Sequence, residues 1–182
     1  MLADDLLYLR KLEEGDLERT WHWINDPGIF LKIGSRVPIS RKEQKAWFDQ
    51  LSASKEKIVL AICLRESDLH IGNVSLDSID DRNRAARLSI FLGEAQRRRA
   101  SLGSRALSLV IYYAFNFLNL NRIWCKATAG DPGIVRFYES FGFRQEGVMR
   151  QHEFVDGSYV DKIIFGLIRA EWAPRSLLAG DI

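Results

Sequence analysis

The sequence predicts one α+β domain in which a mixed, mostly antiparallel sheet of about seven strands carries helices on both faces. Three observations predict it. Short apolar runs bounded by turn residues recur along the chain. Longer stretches with apolar residues at helical spacing interrupt them. The two kinds alternate as strand, two or more helices, three strands, helix, strand, helix, two strands, so most strands pair with a sequence neighbour. The length of 182 residues suits one domain with a real core. We place that domain at 1–175 and a C-terminal tail at 176–182.

Taken in order, residues 6–10 read as an opening strand. Asp16 can cap a helix that runs to about Ile24 and is stopped by Asp26-Pro27-Gly28. Ser40-Arg41-Lys42-Glu43 is a capping box, in which Ser and Glu each satisfy a free backbone donor. The helix it opens carries Ala46, Trp47, Phe48 and Leu51. Strands at 57–65, 69–78 and 86–92 form an antiparallel meander. In the last, Ala86, Leu88, Ile90 and Leu92 share one face, and Arg87, Ser89 and Phe91 the other. A long helix at 102–119 repeats Leu102, Ala106, Val110, Tyr113 and Phe117 at helical spacing. A buried strand at 122–128 precedes Pro132, which suits the first turn of a helix running to about Phe141. Strands at 143–154 and 159–168 close the chain across Asp156-Gly157, a hairpin signal.

A net charge of +2 is too small to make nucleic acid or a membrane the main partner. Cys63 and Cys125 lack metal-ligand spacing and sit in apolar runs, so they read as buried thiols in a reducing compartment. Asp4 and Asp5 stand where a signal peptide would carry positive charge. The most apolar stretch, 106–120, is too short and polar to span a bilayer. The expectation is a cytoplasmic protein with no metal.

Chemistry gathers at two helix starts. Before the long helix stands Gly93-Glu94-Ala95-Gln96-Arg97-Arg98-Arg99-Ala100-Ser101-Leu102-Gly103-Ser104. Free backbone N–H groups and a positive dipole end favour an anion there, and three arginines add to that. Position alone leaves a phosphate site and a solvated charged loop equally open. The second start is Asp131-Pro132-Gly133-Ile134-Val135-Arg136-Phe137-Tyr138-Glu139-Ser140-Phe141-Gly142-Phe143.

Both segments resemble the GNAT superfamily of acyl-CoA-dependent N-acyltransferases. Arg98-Arg99-Ala100-Ser101-Leu102-Gly103 stands for the family's R-x-x-G-x-G/A, with Ser101 in place of a Gly and Arg99 where another is frequent. The second segment is similar to N-x-x-A-I-x-x-Y-E-x-x-G-F, with Asp131 in place of Asn. Glu146-Gly147-Val148-Met149-Arg150, Asp156 to Asp161, Gly166-Leu167-Ile168 and Glu171-Trp172 look like the branch that acetylates N-termini of ribosomal proteins. Spermidine and amino-sugar-nucleotide acetyltransferases share much of that pattern.

The resemblance implies an acetyl-CoA-dependent N-acetyltransferase that moves an acetyl group to a primary amine, either a protein N-terminus or a small molecule, in a ternary complex. It implies that Tyr138 protonates the departing thiolate. It places Ile90, Phe91 and Leu92 along the pantetheine and acetyl group. It places Arg97, Arg98, Arg99, Ala100, Ser101, Leu102, Gly103 and Ser104 at the pyrophosphate, with Asp131 and Arg136 also in the coenzyme A set. The first two helices form the acceptor wall in the family, which implicates Trp23 and Phe30, with Trp21 and Trp47 beside them. A Glu often occupies the position of Arg87 in the related branch. The reversed charge, facing the cleft with Ser89, predicts an acceptor bearing a carboxylate or phosphate and disfavours polyamines. Candidate general bases are Asp77, His152, Glu153 and a water chain. His22 and His70 read as structural. A homodimer is compatible with all of this. Two alternatives stay open: an amino-sugar-nucleotide acetyltransferase, and a non-catalytic acetyl-CoA-binding module of the same fold.

Overall fold

The computed structural model describes residues 2–30, 37–93 and 100–173, with the side chains of Phe30 and Ala100 left aside. Its elements are β1 (Leu2–Ala3), β2 (Leu7–Lys11), α1 (Leu17–Ile24), α2 (Pro27–Phe30), α3 (Arg41–Ala53), β3 (Lys57–Leu64), β4 (His70–Asp80), β5 (Ala85–Leu92), α4 (Ala100–Asn116), β6 (Arg122–Thr128), α5 (Pro132–Glu139), β7 (Arg144–Val155) and β8 (Ser158–Ile168). They build one eight-stranded sheet in the order β1-β2-β3-β4-β5-β6-β8-β7. Every pairing is antiparallel except β5 with β6. The strand beyond the seven expected is β1, two residues long and too short to show alternation.

Period two divides the sheet into two faces. Leu7, Leu9, Leu60, Ile62, Val74, Leu76, Ala86, Leu88, Ile123, Cys125, Phe165 and Leu167 point into the main core. There α4 covers them with Ala106, Leu107, Val110, Ile111, Ala114 and Phe115, all fully buried. The expectation for Phe117 fails at the helix end. It lies past the last turn and is 64% exposed. Tyr138, Phe141 and Phe143 close the same core at the α5 end. On the other face, Val59, Ala61 and Cys63 meet Trp47, Phe48 and Leu51 of α3.

The capping box forms at α3: Glu43 N–H donates to Ser40 Oγ and Ser40 N–H to Glu43 Oε2. Asp16 stands at the start of α1 but does not cap it. Its carboxylate turns back to take two hydrogen bonds from Arg10, at 2.6 and 2.8 Å, and one from the Glu13 N–H. A bidentate guanidinium is a stronger partner than a helix amide. Burial works against this carboxylate, but Arg10, Glu13 and His70 together outweigh it and hold its pKa below the ordinary value.

Candidate active site

The site begins with a pairing that stops. β5 and β6 run parallel and share only three rungs, ending at Arg87 opposite Trp124. Both strands then continue. β5 stays with β4 as far as Leu92 opposite Gly72, and β6 stays with β8 as far as Thr128 opposite Lys162. Each strand follows its antiparallel neighbour, and the sheet opens between 88–92 and 125–128. Backbone N–H and C=O groups of 88–91 and 125–128 along those facing edges need partners from outside the sheet. An extended, amide-containing chain laid in the split would satisfy them as a strand would.

The open end of the split lies between two helix starts. α4 has no acidic residue in its first turn. Gly103 brings that turn against the end of β5, since a Cβ there would stand 4.0 Å from Leu92. Ser101 is exposed, and Leu102 and Ser104 are half-buried. Arg97, Arg98 and Arg99 lie outside the described residues. At α5, Asp131 takes a role different from the one expected of it. Its Oδ1 accepts from the N–H groups of Gly133 at 2.8 Å and Ile134 at 3.4 Å, capping the helix. Gly130, Asp131, Pro132, Val135 and exposed Arg136 line a shallow cavity of 310 Å³ beside it.

Tyr138 is 6% exposed. Its ring lies 5.4 Å from Phe137 and 5.5 Å from both Phe143 and Phe165. Cys125 pairs in register with Phe165, so the phenol stands over that pair, hydrogen-bonded to the Cys125 thiol. Burial raises the phenol pKa, and the neighbouring thiol adds to the shift. The thiol itself is pushed up to about 12, chiefly by burial. The pair therefore sits protonated at the edge of β6 that borders the split. A phenol in that state can donate a proton but cannot act as a base.

On the opposite face, Trp23 is 6% exposed and offers little surface to a ligand. It packs edge-on against His70 and Phe91, at 4.7 and 6.2 Å, and covers Gly93, where a Cβ would fall 2.0 Å from the indole. It supports the end of β5 from beneath. Trp21 donates to the Ile39 carbonyl and carries the Arg41 guanidinium 4.0 Å over its ring. Phe30 ends α2, and the segment after it lies outside the described residues.

Arg87 is not the free cation that its sequence position suggested. It reaches the Asp77 carboxylate at 3.5 Å, where Lys57 binds at 3.1 Å and Ser75 donates at 3.0 Å. That environment occupies Asp77 as a base candidate. Glu153 is paired with Lys162 at 2.5 Å, and His152 is exposed on β7. Two residues here escaped sequence reasoning, Trp124 and Lys126, and Cys125 was read only as a buried thiol. Their signal was the alternation of β6, which separates one apolar face from another bearing Arg122, Trp124, Lys126 and Thr128.

Residues 7–144 match the family profile described as Acetyltransferase (GNAT) domain. A Bacillus licheniformis protein named uncharacterized N-acetyltransferase p20 is 27% identical over 175 residues, 94% of this chain and 98% of its own. The spermidine N(1)-acetyltransferase of Vibrio cholerae is 27% identical over 179 residues, 93% of this chain and 97% of its own. A Vibrio cholerae spermidine N-acetyltransferase solved with CoA and spermine shares the fold at a TM-score of 0.86, with 23% identity over 91% of this chain and 96% of that one. In another structure it is a dodecamer. These likenesses overturn the expected ribosomal-protein branch. The residues that suggested it, around Glu146 and Asp156 to Asp161, lie on the β7–β8 hairpin and secure the sheet: Glu146 pairs with Arg122, and Asp161 accepts from the Gln151 N–H. Such a pattern follows the shared fold rather than the acceptor.

Proposed function

We propose a single-displacement mechanism for this chain, which belongs to the GNAT acetyltransferase family and is an acetyl-CoA-dependent N-acetyltransferase. Acetyl-CoA supplies the activated acetyl group as a thioester: a neutral amine attacks its carbonyl carbon, a C–N bond forms, the nitrogen gives up a proton to water, the C–S bond breaks, and the thiolate takes up a proton. The observation that carries the reading is the β5–β6 split. The facing edges of 88–91 and 125–128 hydrogen-bond the pantetheine and aim its sulfur toward α5. The start of α4, with Ser101, Gly103 and the arginines before it, holds the pyrophosphate. Tyr138 gives its proton to the thiolate and regains one from water. Burial keeps the phenol neutral, so its proton is in place when the thiolate forms, and it also makes the phenol a weaker acid.

The acceptor is a primary amine bound on the face of Arg87 and Ser89, where it meets the thioester from the side opposite α4. The two buried free thiols support a reducing, cytoplasmic setting. The domain spans 1–175. The homodimer expected from sequence is smaller than the Vibrio cholerae assembly, and sedimentation of the purified chain decides between them. Titration with acetyl-CoA followed by thiol release across amine classes tests the whole reading. Saturable binding with amine-dependent release is the expected result, and absence of binding would remove the donor assignment.

A further inference from the structure

We propose that the acceptor amine also carries an anionic group, a carboxylate or phosphate, which is held by Lys126 and Arg87 with Trp124 between them. The proposal rests on the acetyltransferase reading above and names its substrate class.

Arg87 and Trp124 are register partners on the last rung before the split opens. Lys126 lies two residues further along β6 on the same face, its ammonium 5.8 Å from the Trp124 ring centre. These three side chains therefore stand directly over the mouth of the split, on the face opposite α4. Among the described residues, neither Trp124 nor Ile164 belongs to either apolar cluster, so none of those residues commits this stretch of sheet to packing.

The charge balance here is positive. Asp77 is shared between Lys57 and Arg87. Glu153 is matched by Lys162. Among the described residues no carboxylate partners Lys126. Among the described residues the buried Arg87 Nε meets no hydrogen-bond acceptor, and the Arg87 side chain is 40% exposed. A polyamine would bring its second and third ammonium groups to this surface, and like charges at short range repel. An anionic group would meet two donors, one of them a planar guanidinium suited to carboxylate or phosphate. Trp124 offers an apolar wall for the carbon chain or ring between the two ends of the molecule.

The same cations assist the chemistry. Only the neutral amine attacks. Positive neighbours disfavour the ammonium form, so an acceptor anchored by its anionic end loses its proton more readily beside Arg87. That reduces the demand for a general base, a role for which Asp77 and Glu153 are already engaged.

The test uses matched pairs on the full chain: cadaverine against 5-aminovalerate, ethanolamine against phosphoethanolamine, and glucosamine against glucosamine 6-phosphate, with spermidine alongside. Turnover is read by thiol release. Binding is read by titrating each amine into protein saturated with CoA, so selection by this face is seen even where turnover is slow. The anionic member of each pair should win by about tenfold or more in kcat/KM or affinity. The carboxylate and phosphate pairs show which anion fits. Lys126→Glu and Arg87→Glu should each erase the preference and raise the response to spermidine, while Lys126→Gln should erase it alone. A preference for spermidine that Lys126→Glu leaves unchanged overturns the proposal, as does equal use of both members of every pair. Failure of the acetyltransferase reading looks different: acetyl-CoA then fails to bind, whatever the amine.

Discussion

The two sides of the β5–β6 split are made of the same kinds of strand and are treated differently by the rest of the chain. From β1 to β5, apolar side chains leave both faces of the sheet, toward α4 on one and toward α1 and α3 on the other. From β6 to β7, among the described residues, only the α4/α5 face joins an apolar cluster. The other holds Arg122 bound to Glu146, Trp124, Lys126, and Lys162 bound to Glu153 and Thr128. A sheet covered on both faces is stability. A sheet covered on one can lend the second face to a ligand.

The comparison can be broken by mutation. Phe165 lies fully buried on the covered face of β8, and Phe165→Ala should destabilise by about 3–5 kcal/mol in denaturant unfolding. A much smaller loss would mean that the β6–β8 half is looser than its packing implies. On the other side of the split, Arg10→Ala strands the Asp16 carboxylate, which is 8% exposed, and should cost about 3 kcal/mol.

That same cluster predicts an acid-sensitive fold. The Asp16 pKa is lowered, so the stability it contributes is present above the unfolded carboxylate value and falls as pH drops through the folded one. Burial lowers the His70 pKa as well, against its hydrogen bond to Asn73. The unfolded chain therefore binds the histidine proton first, and acid weakens the fold from near the ordinary histidine pKa downward. Melting temperatures from neutral to acidic pH should decline, and His70→Gln should flatten the upper part of that decline.

Tyr138→Phe keeps every ring contact and removes the donor. It should leave the melting temperature close to the parent's and lower kcat by about a hundredfold or more. Unchanged turnover would make Tyr138 a packing residue of the covered face and nothing else. Gly93→Ala drives a methyl into Trp23 at the end of β5 and should destabilise by about 1–3 kcal/mol while weakening acetyl-CoA binding. Loss of stability with affinity intact would separate this contact from the donor site. Ser40→Ala removes the α3 cap and should cost about 1 kcal/mol, with no change in turnover.

Much of this was legible in the chain. The Ser40/Glu43 box, Pro132 and Asp156-Gly157 each act within a few residues, and all appear where their chemistry puts them. Period two in β5 sorted core from non-core side chains correctly, whereas β6, read as a buried strand, alternates between a buried and a half-buried face. Asp16 was misread because its partner, Arg10, comes from another element. Asp131 was read for its contact with coenzyme A, and its capping of the helix beside it was not anticipated. Trp23 could be read as an acceptor wall or as helix packing, because nothing in its own segment announces its contacts with Gly93, His70 and Phe91.

Sequence by itself determined the longer elements, their order and the two helix starts, because capping, periodicity and turn chemistry are local; the two-residue β1 and the four-residue α2 went unread. Where the parallel pair parts, which cations stand over that gap, and which carboxylates are already taken were decided by tertiary structure. Those depend on how two half-sheets, each following its own antiparallel neighbour, diverge in space.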